Sequence, residues 1–131
     1  MQDLPAMRII GVGVDIVDIK RISQLPEEKK VRMARKILTS KELVSISFKI
    51  SSQLLASRFA AKEAVVKAMG TGYRSFGTSS ISIVHDPLGK PCVELEGNAL
   101  LVAKSMGIQD FFLSISHEKE TAIAFCIAVG A

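Results

Sequence analysis

The run from Arg58 to Gly72 constrains this chain most, because it joins strong helix formers to charged residues that a wholly buried helix does not need. Alanine, arginine, lysine, glutamate and methionine dominate it, and Gly70 stands where a helix beginning near Ser52 takes its C-terminal glycine. On a 3.6-residue period Leu55, Phe59, Val66 and Met69 form an apolar stripe, while Ala56, Ala60, Glu63 and Lys67 share a neighbouring face. Glu63 and Lys67 are then adjacent, a spacing that by itself describes a surface ion pair worth ~0.3–0.5 kcal/mol. Two further features favour a ligand: small residues at Ala56, Ala60, Ala61 and Ala64 permit close approach, and Gly70-Thr71-Gly72 offers unhindered backbone N–H groups. A phosphate-bearing molecule suits both.

At 131 residues the chain is expected to be one domain, residues 1–131, with a real core. The apolar run from Thr121 to Ala131 is about half of the ~20 residues a membrane helix requires. Met1 to Pro5 lacks the basic start of an export signal, so a cytosolic location is expected. Cys92 and Cys126 have no metal-ligand spacing and read as core thiols. The formal charge of +4 is concentrated: between Asp18 and Ile37, seven bases (Lys20, Arg21, Lys29, Lys30, Arg32, Arg35, Lys36) face three acids (Asp18, Glu27, Glu28), and the rest of the chain is neutral. That segment is a solvated face or a dock for something acidic.

Arg8 to Val14 is β-branched and glycine-containing, which predicts a buried strand ending at Asp15. Gly11 and Gly13 invite a dinucleotide-fold reading, but Ile16 occupies the place of the third glycine and excludes it. A short helix is predicted from Asp18, and Pro26 permits a second that runs to Leu38. Thr39 and Glu42 have capping-box spacing and open a third helix; Ser51 or Ser52 caps the long one. Tyr73 to Ser79, rich in Gly and Ser, is expected to form a mobile loop. Ser80–Val84 and Pro91–Glu96 alternate as the strands of a hairpin around Asp86-Pro87-Leu88-Gly89, with His85 an ordinary turn residue. An amphipathic helix over Asn98–Met106 and strands over Phe111–Ser116 and Thr121–Val129 complete the chain.

Asp15 after the first strand, Lys62-Glu63-x-x-x-Lys67 on the long helix and Ser114-Ile115-Ser116-His117 at a strand end occur in one order with Ile10 to Val17, Ile37-Leu38-Thr39-x-x-Glu42 and Gly89-Lys90-Pro91. Together they resemble the short bacterial phosphopantetheinyl transferases, the holo-acyl-carrier-protein synthases, over nearly the whole chain. Ser57 stands where a glycine is common. The resemblance implies an α+β domain, an antiparallel sheet with a long central helix, that moves 4′-phosphopantetheine from coenzyme A to a serine of an apo acyl carrier protein and releases adenosine 3′,5′-bisphosphate. It implies Mg²⁺ on Asp15 and Glu63; phosphate contacts from Lys62 and Lys67, Lys67 at the leaving oxygen; coenzyme A contacts from Gly72, Ser116 and His117; Arg21 facing the carrier; and homotrimers with sites between subunits. Glu63, or a water it holds, is the preferred acceptor of the serine proton. Two alternatives stand beside this: another Mg-dependent phosphoryl-transfer or nucleotide-hydrolysing enzyme, and a nucleic-acid-binding module. The second has no support from the basic segment, which contains no aromatic residue for base stacking.

Overall fold

The computed structural model describes residues 6–46 and 49–131; the reading of the first five residues as lacking an export signal falls outside them. The elements in order are β1 (Arg8–Asp18), α1 (Ile19–Ser23), α2 (Glu27–Ile37), α3 (Ser40–Ser45), α4 (Ser52–Met69), a 3₁₀ turn (Thr78–Ser80), β2 (Ile81–His85), β3 (Pro91–Leu95), α5 (Gly97–Ser105), β4 (Ile108–His117) and β5 (Thr121–Gly130). Among the described residues the strands make two antiparallel sheets, one ordered β1-β5-β4 and the other the β2–β3 hairpin, giving the expected α+β class. No helix of the described residues is long and apolar enough to cross a membrane.

The local signals act as predicted at the ends of α4. Ser51 Oγ accepts from the Leu54 N–H (3.0 Å), and Gly70, at φ +74°, returns its N–H to Val66 and Lys67 carbonyls. Its packing departs from the predicted stripe. Leu55, Ala56, Ala60, Ala61, Ala64, Val65, Val66, Ala68 and Met69 are all buried, so the helix is enclosed by the three-stranded sheet on one side and by α1, α2 and β2 on others. A helix covered on several sides shows no single apolar stripe, and here only Gln53 and Lys67 stay exposed along it.

The alanine face is occupied by the chain itself. A Cβ on Gly11 would lie 1.9 Å from the Ala68 carbonyl oxygen, and one on Gly13 2.1 Å from that of Ala64, so β1 crosses α4 backbone against backbone. Gly13→Ala is therefore expected to cost about 3 kcal/mol, since the obstructing atoms are helix backbone and cannot swing aside. Thermal unfolding checks this; a Tm within about 2 °C of the parent would show that β1 can shift without loss.

β1 also runs further than predicted, to Asp18 instead of Asp15. Ile16 and Val17 continue the ladder against Ile123 and Ala122, and Asp18 ends it by accepting the Lys20 N–H (3.0 Å) as the cap of α1. Asp15 thus projects from within a strand. Pairing aligns Asp15 with Ala124 and Ala124 with Ile115, while His117 lies opposite Ala122 and that residue opposite Val17. The far face of the sheet carries Val12, Val14 and Ile16 from β1 and Ile123 and Phe125 from β5, 39–67% exposed.

Candidate active site

Three cavities gather Asp15, Arg21, Glu63 and His117 of the residues singled out above. The first, about 340 Å³, is lined by Asp15, Ile16, Val17, Asp18, Arg21, Phe59 and Glu63, so β1, α1 and α4 bring Asp15, Glu63 and Arg21 together. Lys67 Nζ donates to Asp15 Oδ1 (3.1 Å) and to the Val14 carbonyl (3.0 Å). The i,i+4 pair of Glu63 with Lys67 is not among the ion pairs of the described residues. The reason is the close crossing at Gly13, where an added Cβ would stand 2.8 Å from Lys67 Cβ and which carries the next residues of β1 into reach of the ammonium. Glu63 Oε1 instead accepts from the Tyr73 hydroxyl (3.0 Å). Burial, then the neighbouring Glu63 carboxylate, push the Tyr73 phenol well above the ordinary tyrosine range, so it is a standing donor.

The second cavity, about 540 Å³ and mainly apolar, is lined by Met33, Lys36, Ile37, Phe59, Glu63, Tyr73, Gly77, Thr78 and Ser79. Phe59 and Glu63 belong to both cavities, which places the Glu63 carboxylate on the rim between a charged recess and an apolar one.

The third, about 380 Å³, lies at the β4 edge of the sheet and gathers Gln53, Ser57, Arg58, His85, Gly89, Pro91, Ile115 and His117. The Gln53 amide nitrogen donates to His117 Nε2 (2.9 Å). Arg58 donates to the Ile83 carbonyl (2.6 Å), and Ser57 Oγ is buried with no hydrogen-bond partner among the described residues. His85, an ordinary turn residue by sequence, ends β2 at this cavity. Ser116 is not brought to it: strand alternation turns Ser116 toward the far face with Ile123 and Ile16, and His117 toward the helices. Gly72 is exposed, at φ +65° two residues beyond the cap of α4.

Lys62, expected at the phosphates, lines none of these three cavities. Its side chain is fully buried, and its ammonium donates to Glu42 Oε1 (2.5 Å), to the Ile37 carbonyl and to the Thr78 carbonyl (3.3 Å). Burial pulls its pKa below the ordinary lysine range, and the hydrogen bond and charge of Glu42 oppose that. Three donors on three acceptors leave nothing for a ligand. Glu42 closes the predicted capping box with Thr39 and also meets Arg58 (3.4 Å) and the Ile83 N–H (3.4 Å). The capping spacing found Glu42 in the sequence; nothing local marked it as the partner of two cations. Tyr73 and Gln53 carried no local signal either.

The sequence model of the 4′-phosphopantetheinyl transferase superfamily matches residues 11–126. A holo-[acyl-carrier-protein] synthase from Clostridium novyi (strain NT) is 47% identical over 120 residues, 91% of this chain and 86% of that protein. Among solved structures, the acyl carrier protein synthase of Plasmodium yoelii with ADP bound superposes at a TM-score of 0.87, with 36% identity over 97% of this chain and 99% of that one. The holo-(acyl-carrier-protein) synthase of Bacillus anthracis in complex with CoA (3′,5′-ADP) superposes at 0.74, with 33% identity over 96% of this chain and 100% of that one. A match across both sheets and the central helix, at this identity and coverage, places the chain in the 4′-phosphopantetheinyl transferase superfamily, among its holo-acyl-carrier-protein synthases.

Proposed function

We propose that this protein transfers 4′-phosphopantetheine from coenzyme A to a serine of an apo acyl carrier protein, with release of adenosine 3′,5′-bisphosphate. One observation carries the reading: Asp15 and Glu63, from different elements, line a single cavity with Arg21, and Lys67 reaches the same carboxylate of Asp15. Among the described residues no group of three or more His, Cys, Asp or Glu side chains is placed to hold a metal ion, so Asp15 and Glu63 stand as two carboxylates without a fuller cage. That donor set fits Mg²⁺, which takes one or two carboxylates and completes its oxygen shell from water and substrate phosphates. Asp15 and Glu63 would hold it, and when bound it offsets the charge of the coenzyme A pyrophosphate.

In the transfer the carrier serine oxygen forms a bond to the phosphorus on the pantetheine side of the pyrophosphate, and the bond from that phosphorus to the bridging oxygen breaks. Glu63 accepts the serine proton, and the Lys67 ammonium stabilises the charge gathering on the departing bisphosphate. Arg21, exposed at the rim of the cavity on α1, presents a planar cation to carboxylates of an acidic carrier surface.

Arg58, Gln53 and His117 supply a second polar recess suited to the nucleotide phosphates, but β5 separates its edge of the sheet from β1 by roughly 10 Å of backbone spacing. A neighbouring copy that sets its His117 recess beside this Asp15 recess completes the site, and the apolar far face of the sheet gives such copies a surface to share. This favours the homotrimer, in which Ser116 and Gly72 remain proposed nucleotide contacts. Intact mass spectrometry of an apo carrier incubated with the protein, Mg²⁺ and coenzyme A tests the whole reading. A mass gain of one phosphopantetheine group with release of adenosine bisphosphate is expected; cleavage of coenzyme A with the carrier unmodified would make the protein a hydrolase instead.

A further inference from the structure

The segment after α4, predicted to be mobile, is tied down at several points. Gly70 and Gly72 both take positive φ (+74° and +65°), a conformation that turns the chain back along the helix it has just left. Asn98 Nδ2 then donates to the Ser75 carbonyl (3.0 Å), and Thr78 Oγ1 donates to the Lys36 carbonyl (3.1 Å). Between these ties Tyr73 sets its ring edge-on against Phe76, centroids 6.0 Å apart at 68°, and its hydroxyl on Glu63 Oε1. Tyr73 is the sole tyrosine of the chain.

We propose that Tyr73 is a positioning residue for Glu63: its hydroxyl holds Oε1 so that Oε2 is presented to the Asp15 recess. The inference rests on the assignment of Asp15 and Glu63 as metal ligands made above. A glutamate on a helix has three side-chain torsions, and an unrestrained carboxylate on the rim of two cavities would sample both. The Tyr73 bond selects one orientation, and the ring also lines the apolar cavity on the other side of Glu63. Lys67 does the equivalent for Asp15, engaging Oδ1. Each carboxylate thus has one oxygen fixed by a donor from its own chain, the arrangement by which outer partners orient metal ligands.

The test compares Tyr73→Phe, which keeps the ring and its contact with Phe76, with Glu63→Gln. Mg²⁺ affinity is measured by calorimetry without coenzyme A, and Mn²⁺ affinity by electron paramagnetic resonance. In Tyr73→Phe both affinities are expected to fall about 10-fold, with kcat falling and the carrier KM and Tm unchanged. If Glu63→Gln loses the metal while Tyr73→Phe binds it as tightly as the parent, the positioning role is overturned and the metal site stands. If Glu63→Gln binds the metal normally, the site assignment fails and Tyr73 falls with it. A Tyr73→Phe protein whose Tm drops while its metal affinity holds would show that the hydroxyl only braces the loop, and that too overturns the proposal.

Discussion

Glu63→Gln loses transfer by at least about 10²-fold in kcat/KM, even at saturating Mg²⁺, while unfolding at the temperature of the parent. The two halves of this expectation have separate physical grounds. Glutamine matches glutamate in volume, and its amide oxygen still accepts the Tyr73 hydroxyl that now meets Oε1, so packing and the loop tie survive. The half-exposed position also spares the fold a large desolvation change. What disappears is the negative charge at the rim of the Asp15 recess, and with it the two roles proposed for Glu63, ligand for the cation and acceptor for the serine proton. Steady-state assays across a Mg²⁺ series, with thermal unfolding of the same sample, separate the outcomes. Turnover retained at high Mg²⁺ would remove Glu63 from the chemistry, whereas a lowered Tm with turnover preserved would make it a structural residue.

Lys62→Met acts in the opposite way: it unfolds the protein readily. Glu42 is fully buried, and its Oε1 is held by the Lys62 ammonium and by the Thr39 N–H. Removing the ammonium leaves a buried carboxylate with only Arg58 at 3.4 Å for a counter-charge, and takes from the Ile37 carbonyl the donor that Lys62 supplied, while the Thr78 carbonyl keeps the Ile81 N–H. Breaking one side of a buried pair costs about 3–5 kcal/mol, a large share of the 5–15 kcal/mol that holds a domain folded. The expected result is a Tm lower by more than 10 °C, on the order of the shift such a loss produces in a domain of this size, or protein that does not accumulate. Chemical denaturation gives the same comparison through the midpoint. A Lys62→Met protein that unfolds with the parent and has lost affinity for coenzyme A would restore Lys62 to the phosphates.

Signals contained within a few residues were enough to place most of the secondary structure. Ser51 and Gly70 bound α4, Thr39 and Glu42 cap α3, and Asp86 Oδ1 accepts the Leu88 and Lys90 N–H groups in the hairpin turn, because each depends on backbone groups at most four positions away. The rejection of a dinucleotide fold for Gly11 and Gly13 was also available locally, since it needed only the identity of residue 16. Their actual use was not, because the atoms that forbid a side chain there belong to Ala64 and Ala68 on another element.

The site divides the same way. The sequence determined by itself that a carboxylate, a second carboxylate and two lysines lie where the family's pattern has them, and that the basic excess sits on α1 and α2. Tertiary structure alone decided which of those charges face solvent. Lys62 and Lys67 have the same chemistry on one helix, yet Lys62 meets acceptors 16, 20 and 25 residues away and is buried, while Lys67 meets Val14 and Asp15 at the edge of β1 and stays half exposed. A helical period states which side chains share a face, and only the elements packed over that face fix whether a charge there is solvated, paired or sealed in.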